Sequence, residues 1–291
     1  MRDKRILITG AAGSIGSELV RQLCVENYVY GLDINESGLF DLYQEGKLID
    51  RHFKTRVGDI RDRYTVEEVF DGNEFDIVFH AAAYKHVTPM EHVPLEAVNT
   101  NIIGLANVLY SSKRHKVEKL IFISSDKAVL ADGVMGCTKR LGEMITRNAG
   151  YVNVRFGNVQ GSRGSLFTIW DRQIKSGYEL TVTDPRMERY MMSIEDACSL
   201  STQAAERGNP GETIILDMGE KVNIYELAKQ KNIEAGRNPN MIRFIGRRSG
   251  EHLTEELMSE QEKLRARKDG RFYVINARNY SEDISIAKVM Q

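Results

Sequence analysis

The chain has 291 residues, of which 42% are hydrophobic and 28% charged, and its formal net charge is −1 at pH 7. This length allows one large core, or a main domain with a smaller annex. The balanced charge excludes a general electrostatic attraction to nucleic acid or anionic lipid, so any anionic ligand must be held by locally placed groups.

The first half of the chain alternates strand-like apolar runs with helical patterns. Strands are predicted at residues 5–9, 28–33, 55–59, 76–81, 119–124 and 152–156. Helices are predicted at residues 14–26, 39–48, 66–70, 94–113 and 134–148. Strands separated by helices of this length indicate a parallel sheet with helices on both faces. We therefore predict an α/β fold with a Rossmann-type, doubly wound parallel sheet.

The alternation loosens after residue 160. SLFTIWDRQIKSG and SIEDACSLSTQAAERG have helical patterns, whereas ELTVTD and ETIILDMG are strand-like. We expect the strand near 212–218 to return to the main sheet, and MIRFIGRRSGEHLTEELMS and RFYVINARNYSEDIS to form a small C-terminal α/β annex over its carboxyl edge. The predicted division is a dinucleotide-binding domain at 1–165 and, mainly, a substrate-binding annex at 166–291.

Nothing in the sequence predicts secretion or a membrane span. The longest apolar runs have the length of strands, and the N-terminus leads directly into the first predicted strand. Cys24, Cys137 and Cys198 are scattered and form no CxxC motif, which favours a reducing compartment. We expect a cytoplasmic protein with no metal site and no membrane or nucleic-acid partner.

A glycine-rich turn follows the first predicted strand and opens the first helix. Its sequence, TGAAGSIG from Thr9 to Gly16, has the spacing GxxGxxG. Glycines permit a tight turn and a close approach of a pyrophosphate to the backbone, and the helix N-terminus offers free N–H groups to the anion. The alternative is a purely structural turn between strand and helix.

The next two predicted strands end in acidic residues. A carboxylate at Asp33 can bind the ribose hydroxyls of an adenosine, and Asp59 with Ile60 can meet its adenine. Asp33 also repels a 2′-phosphate, and the following Ile34 and Asn35 bring no arginine to reverse this. We therefore expect NAD as the cofactor, with NADP possible. Asp33 can equally serve as a turn or N-cap residue, and the roles can coexist.

Longer motifs carry a resemblance to a known family. They are TGAAGSIG, HAAAYKHVTPMEHVPLEAVNTNIIGLANVL, ISSDKAVLADGVMGCTKR, VRFGNVQGSRGSL, LTVTDPRMERYMMSIEDA and GRRSGEHLTEEL. The chain resembles the extended short-chain dehydrogenase/reductases, within them the polysaccharide-biosynthesis branch of UDP-N-acetylglucosamine 4,6-dehydratases and 5-epimerases. We expect the membrane-anchored N-terminal region of longer relatives to be absent. The resemblance implies dinucleotide binding by Gly10, Ala12, Gly13, Ser14, Ile15, Gly16, Asp33, Asp59, Ile60, Ala81, Ala82, Ala83 and Lys139.

The resemblance also implies a reaction. Hydride leaves carbon 4 of the sugar for the nicotinamide, and the resulting 4-ketone acidifies the proton on carbon 5. A base removes that proton while the carbon 6 hydroxyl departs with help from an acid. Hydride then returns to carbon 6 and a proton to carbon 5, and the sugar is epimerised if that proton arrives on the opposite face.

The SSDK turn holds the residues for the middle steps. By resemblance Asp126 is the acid for the carbon 6 oxygen and Lys127 the base at carbon 5, with Ser125 beside them. A lysine acts as a base near neutral pH only if its pKa is lowered by burial or by nearby cations. Lys139 and a bound nicotinamide are the candidate cations. The alternative is that Asp126 and Lys127 form a solvated loop pair.

Met135 stands where these enzymes ordinarily carry a catalytic tyrosine, four residues before Lys139. A thioether cannot transfer a proton, so the proton of the carbon 4 hydroxyl must go to Lys127, to Ser125 through a water, or to Lys139. By resemblance Lys139 binds the nicotinamide ribose. The alternative for Met135, and for Cys137 nearby, is core packing.

The resemblance assigns the UDP-sugar side to residues on several segments. They are Lys85, Asn158, Arg163, Arg189, Arg248 and Glu251. Arginine suits this role because its planar donors bind phosphate in a bidentate manner. The alternative for any one arginine is an ordinary surface position, since the chain has 40 lysines and arginines.

Three functions stay open. The first is an NAD(P)-dependent UDP-N-acetylhexosamine 4,6-dehydratase with 5-epimerase capability, on a route to 6-deoxy amino sugars such as pseudaminic acid. The second is a specialised 5-epimerase that needs a sugar, such as a 6-deoxy derivative, already dehydrated by a partner enzyme. The third is a non-catalytic dinucleotide-binding sensor or scaffold. By resemblance we expect a homo-oligomer, a dimer or larger.

Overall fold

The protein is represented by a computed structural model that describes residues 1–45, 52–248, 250–276 and 284–290. Its strands are β1 (Arg5–Thr9), β2 (Tyr28–Asp33), β3 (Phe53–Val57), β4 (Ile77–His80), β5 (Lys119–Ile123), β6 (Val152–Arg155), β7 (Asn158–Val159), β8 (Leu180–Val182), β9 (Glu188–Arg189), β10 (Met191–Met192), β11 (Thr213–Leu216), β12 (Val222–Asn223), β13 (Ile242–Phe244), β14 (Arg267–Asp269) and β15 (Phe272–Ile275). Its α-helices are α1 (Ser14–Leu23), α2 (Glu36–Gln44), α3 (Arg63–Asp71), α4 (Val87–His92), α5 (Pro94–Val98), α6 (Leu105–Arg114), α7 (Lys127–Leu130), α8 (Val134–Asn148), α9 (Leu166–Lys175), α10 (Ile194–Arg207), α11 (Ile224–Glu234), α12 (Glu260–Arg265) and α13 (Ile286–Val289).

One large sheet organises the described residues. Its strand order is β14-β15-β11-β6-β5-β4-β1-β2-β3. The strands from β11 to β3 pair in parallel, and the order reverses between β4 and β1. Ligands bind in open sheets of this kind beside the carboxyl ends of the strands at such a reversal. The predicted Rossmann-type α/β fold is confirmed.

Alternation within the central strands explains why helices cover both faces. In β1, Ile6 and Ile8 pack into one apolar cluster with α1, α2 and α10, whereas Leu7 packs into a second cluster with α3, α6 and α8. Successive side chains of a strand point to opposite faces of the sheet. A strand with apolar residues at consecutive positions is therefore buried only if helices pack on both faces.

The helix predicted at 94–113 differs from expectation in its interior. The chain is helical from Pro94 to Arg114, but residues 99–104 form a π-helix between α5 and α6. Asn101 lies in this wider segment and is buried, and its side-chain amide bonds to both the N–H and the carbonyl of Tyr84. The π-helix therefore fixes the loop that follows β4.

The C-terminal segment RFYVIN was assigned to the annex, and that assignment is wrong. β15 pairs antiparallel with β11 and forms a hairpin with β14 at the sheet edge. The hairpin covers β11, which would otherwise be an exposed edge strand. The predicted helix at 39–48 is observed as α2, and its residues 46–48 lie outside the described part.

The region after residue 165 also contains a small apolar core of its own. It packs α9 and α11 against the parallel pair β8–β13 through Trp170, Leu180, Val182 and Ile224. β11 nevertheless lies within the large sheet, beside β6. The division of the chain at residue 165 stays a prediction.

Three further findings concern the described ranges. No helix in them is long and apolar enough to cross a membrane. No group of three or more His, Cys, Asp or Glu side chains there is arranged to hold a metal ion. Cys24, Cys137 and Cys198 are all free thiols.

Candidate active site

A cavity of about 790 Å³ opens at the carboxyl ends of β1, β4, β5 and β6. It brings together most of the predicted site residues, although they come from distant parts of the sequence. Those in its lining are Gly10, Gly13, Ser14, Ile15, Gly16, Ala81, Ala83, Lys85, Ser125, Lys127, Met135, Lys139, Asn158, Arg163, Arg189, Arg248 and Glu251. Those outside its lining are Ala12, Asp33, Asp59, Ile60, Ala82 and Asp126.

The glycine-rich turn has no room for a side chain at two positions. Gly10 has φ +71°, and a Cβ there would lie 2.6 Å from the backbone nitrogen of Ala82. A Cβ on Gly16 would collide with the carbonyl oxygen of Gly10. Gly13 begins α1 without a side-chain cap, so the N–H groups of the first helical turn face the cavity end of the helix. This geometry fits a pyrophosphate.

Asp33 is held at the end of β2 by two backbone donors. Its Oδ2 accepts from the N–H of Ala12 at 2.9 Å, and its Oδ1 accepts from the N–H of Asn35 at 2.8 Å. The carboxylate is thereby fixed beside the glycine-rich turn, where a ribose of a bound dinucleotide would lie. Together the turn and Asp33 fit NAD.

Asp59 and Ile60 both make contacts within the protein. Asp59 accepts two hydrogen bonds from Arg61, whose guanidinium also pairs with Glu96 at 2.8 Å. Ile60 is buried against Gly104 in the π-helix, where a Cβ would come within 2.6 Å of it. Their predicted contact with adenine stays a prediction.

Asp126 is buried beneath the cavity floor and has two unlike oxygens. Oδ1 accepts from the Ser125 hydroxyl at 2.8 Å and from the Lys127 ammonium at 3.1 Å. Oδ2 is buried and has no hydrogen-bond partner in the described residues. It faces Gly157, where a Cβ would lie only 3.1 Å from it. An unpaired buried carboxyl oxygen is costly unless it is protonated or meets a ligand, which suits an acid.

Lys127 rests as an ammonium, contrary to the prediction of a lowered pKa. Its Nζ lies 3.1 Å from Asp126, 3.3 Å from the Asn158 amide oxygen and 3.8 Å from Glu255. Burial lowers the pKa of Lys127, but the carboxylates of Asp126 and Glu255 outweigh it, so the pKa is raised. The opposing cation is Arg189 and not Lys139. The pair is also not a solvated loop pair, because Asp126 is 1% exposed.

Lys139 has the lowered pKa that was expected of Lys127. Its Nζ donates to the carbonyl of Ile123 at 2.8 Å and lies over the ring of Phe122. Burial lowers the pKa of Lys139 to about 8, although Glu143 acts against this. Met135 lies one helical turn earlier, lines the cavity and packs against Met90. Met135 therefore packs in the core and also lines the cavity.

A comparison with protein families places this site in context. The family model described as "Polysaccharide biosynthesis protein" matches residues 6–277. The chain belongs to this family. Its fold and motifs make it an extended short-chain dehydrogenase/reductase, which confirms the resemblance found in the sequence.

Proteins similar to this chain include a probable polysaccharide biosynthesis protein EpsC of Bacillus subtilis. It is 42% identical over 277 residues, which cover 90% of this chain and 46% of the relative. A UDP-glucose 4-epimerase of Rickettsia canadensis is 37% identical and is covered to 83%, with 94% of this chain matched. The solved structure of Pen from Bacillus thuringiensis is 32% identical, with a TM-score of 0.89 over 99% of this chain and 96% of that one. The chain spans about half the length of the first curated relatives it matches.

The Arg189 side chain is hydrogen-bonded to backbone carbonyls, two of them in the C-terminal part of the chain. Its guanidinium donates to the carbonyls of Glu188, His252 and Leu253 at 2.7 to 3.1 Å. The residue is 6% exposed, so most of its donors face protein. Arg189 therefore fastens residues 252–253 at the cavity, and its predicted contact with a UDP-sugar stays a prediction.

The other predicted sugar-side residues lie around the cavity mouth. The N–H of Arg163 donates to the Ser14 hydroxyl at 2.9 Å, which ties its loop to the glycine-rich turn. The N–H of Arg248 donates to the Glu251 carboxylate at 3.0 Å. Lys85 donates to Ser162 at 3.1 Å, and burial followed by the charge of Lys127 lowers its pKa. The Arg163 and Arg248 residues are exposed, which leaves their side chains accessible to a ligand.

Glu255 is a charged residue of the site that the sequence analysis missed. It is 4% exposed and lies 3.8 Å from both Lys127 and Arg189. Alternation in the HLTEEL run could have indicated it, because Leu253, Glu255 and Leu257 fall on one side of an extended segment. Its distance along the sequence could not have indicated it, because Lys127 is more than a hundred residues away.

Proposed function

We propose that this chain is an NAD-dependent enzyme that acts on a UDP-N-acetylhexosamine through a 4-keto intermediate, as a 4,6-dehydratase with 5-epimerase capability. The observation that carries this proposal is the pair of the buried Asp126 and the half-buried Lys127 at the cavity, with one carboxyl oxygen that has no hydrogen-bond partner among the described residues. The family's relation to polysaccharide synthesis and the similarity to a protein named UDP-glucose 4-epimerase support a nucleotide-sugar substrate.

The glycine-rich turn and Asp33 are the residues that would hold the cofactor. The N-terminal turn of α1 would bind the pyrophosphate, and Asp33 the adenosine ribose. Bound NAD would accept hydride from carbon 4 of the sugar and return it at carbon 6. Asp33 favours NAD over NADP because its carboxylate repels a 2′-phosphate.

An Asp33→Asn variant is expected to bind NAD about tenfold more weakly, because a charged acceptor for ribose hydroxyls becomes neutral. It is also expected to discriminate less against NADP. Isothermal titration with each dinucleotide measures both effects. Asp41→Asn, on the exposed face of α2, is the matched control and should bind NAD as the unaltered chain does. Unchanged affinity in Asp33→Asn would exclude this residue from the cofactor site.

The acid and the base arise together from one proton transfer. Moving a proton from the Lys127 ammonium to Asp126, 3.1 Å away, produces a neutral amine and a neutral carboxyl group. The amine then accepts the proton from carbon 5, and the carboxyl group donates its proton to the departing carbon 6 oxygen, which leaves as water. The raised pKa of Lys127 makes this transfer uphill.

Lys139 is the residue best suited to take the proton of the carbon 4 hydroxyl. Its pKa of about 8 leaves part of its population neutral near physiological pH, unlike that of Lys127. It lines the cavity on the same helix as Met135, one turn away, so it takes over the task of the absent tyrosine. The residues after 165, together with Arg163, would bind the UDP part.

A second candidate is a specialised 5-epimerase that needs a sugar already dehydrated by a partner. The observation that favours it is Met135, whose thioether cannot accept the proton that oxidation of the carbon 4 hydroxyl releases. A non-catalytic sensor is disfavoured, because a pure dinucleotide-binding module has no need to bury Asp126 and Lys127 beside the cavity at the cost of desolvating them.

Incubation with NAD and UDP-N-acetylglucosamine in D2O, followed by NMR of the sugar, separates these functions. A 4-keto-6-deoxy product supports the full dehydratase. Silence with that substrate, but deuterium entry or inversion at carbon 5 of a pre-dehydrated sugar, supports the specialised epimerase. Silence with both sugars excludes the enzyme.

A further inference from the structure

Glu255 lies 3.8 Å from Lys127 but does not line the large cavity, whereas Lys127 does. Both residues border a second, small pocket of about 20 Å³, together with Asp132 and His252. Any influence of Glu255 on a substrate in the large cavity therefore passes through its neighbours Lys127 and Arg189, which line that cavity.

Glu255 completes a buried set of four charges. Asp126 and Glu255 are the anions, and Lys127 and Arg189 are the cations. Burial of a charge is costly unless an opposite charge compensates it, and two anions balance two cations here. Without Glu255, Lys127 would keep the Asp126 carboxylate, and Arg189 would keep its backbone carbonyls but lose the carboxylate beside it.

The groups that face this cluster from neighbouring elements are known. Lys85 approaches from the loop after β4, Asn158 from β7, and His252 from the segment that carries Glu255. His252 is itself bonded to Asp132 at 2.9 Å. Burial raises the pKa of Glu255, and Lys127 and Arg189 act against this.

We propose that Glu255 is a positioning residue of this active site, whose carboxylate holds the Lys127 ammonium against Asp126 and sets the pH range in which Lys127 accepts a proton. This inference rests on the proposed function, because it concerns the base at carbon 5. Glu255 does not line the large cavity, so it acts through the two cavity residues that it contacts, and its effect on proton transfer passes through Lys127.

The sign of the effect follows from the charges. A carboxylate near an ammonium favours the charged form and raises the pKa of the lysine, while Arg189 lowers it. At the alkaline pH where such a lysine titrates, Glu255 is ionised. A neutral glutamine there removes the attraction but leaves the repulsion from Arg189, so the Lys127 base becomes available at lower pH.

The test is the pH dependence of deuterium entry at carbon 5 in the NAD-loaded full chain. In Glu255→Gln the rising limb of the rate is expected to move to lower pH by about one unit, while Glu255→Asp keeps most of the original position. Glu256→Gln is the matched control, because Glu256 pairs with Lys221 and Lys263 instead. If the rising limb of the pH profile stays in place in Glu255→Gln, whatever the rate of that variant, Glu255 has only a structural role in its own segment and the proposal is overturned.

A second measurement needs neither turnover nor a folded variant. Acetic anhydride modifies only neutral amines, and mass spectrometry of the Lys127 peptide gives the pH of half-maximal labelling. In the unaltered chain this midpoint is expected above that of the exposed Lys175. A midpoint at or below that of Lys175 would refute the inference. Failure of every sugar to react, with a high labelling midpoint, would instead refute the proposed function alone.

Discussion

Replacement of Lys127 by methionine is expected to lower the rate of deuterium entry at carbon 5 by about 10²- to 10⁴-fold, the usual contribution of a general base. The reason is that the Lys127 Nζ is the amine at the cavity that borders Asp126 and Asn158, and a thioether there takes no proton. NMR of the sugar after incubation in D2O measures the rate, and NAD titration verifies that the cofactor still binds.

Two companion variants make this result specific. Lys229→Met removes a lysine from the surface of α11, where it pairs with Glu226, and should leave the exchange rate unchanged. Asp126→Asn should block departure of the carbon 6 oxygen, because the amide can neither take a proton from Lys127 nor protonate a leaving group. Full exchange at carbon 5 in Lys127→Met would assign the base to another residue.

Replacement of Arg155 by methionine is expected to destabilise the fold by about 3–5 kcal/mol, the usual cost of leaving a buried charge without its partner. Arg155 is fully buried and binds Glu143 with two nitrogens at 2.7 and 2.9 Å, and Glu262 at 2.9 and 3.0 Å. The change removes the nearest cation from two buried carboxylates and leaves each with a more distant arginine, Arg147 beside Glu143 and Arg140 beside Glu262. Urea denaturation followed by circular dichroism measures the free energy of unfolding.

The pH dependence of that loss has a definite sign. Burial raises the pKa of Glu143, but Arg155 outweighs it and the pKa is lowered, so the stability it contributes is present above its unfolded pKa and lost as pH falls through the folded value. Without Arg155, Glu143 keeps the more distant Arg147 and takes up a proton at higher pH than in the unaltered chain. The loss in Arg155→Met is therefore expected to be smaller at about pH 5 than at about pH 8. Arg2→Met, which breaks an exposed pair with Glu26, should leave the midpoint unchanged, and an equal loss in both variants would contradict the argument.

The sequence predicted the first half of the fold well for a local reason. Consecutive apolar residues at positions 6–8 of β1 indicate burial on both faces of the sheet, and amphipathic patterns in α1 and α8 indicate burial on one face of the helix. The π-helix at 99–104 has no such signature, because the buried amide of Asn101 and the packing of Gly104 on Ile60 arise only after folding. For the same reason β15 was misplaced, since its pairing with β11 depends on which edge is open.

The candidate site divides in a similar way. Residue types were readable from the sequence: glycines in the turn, a carboxylate at Asp33, the Asp126–Lys127 pair and Met135 in place of tyrosine. Which lysine has a lowered pKa was not, and the sequence analysis chose Lys127 where the structure gives Lys139.

The sequence by itself determined the fold class, the family and the chemical groups at the SSDK turn, because these follow from local patterning and motif spacing. Only the tertiary structure decided their charge states. Asp126, and then Glu255 from a segment more than a hundred residues away, raise the pKa of Lys127, whereas Lys139 is buried and the acid beside it, Glu143, is already paired with Arg155. The physical reason is that a pKa depends on burial and on charges within a few ångströms, and distance in space is set by the fold.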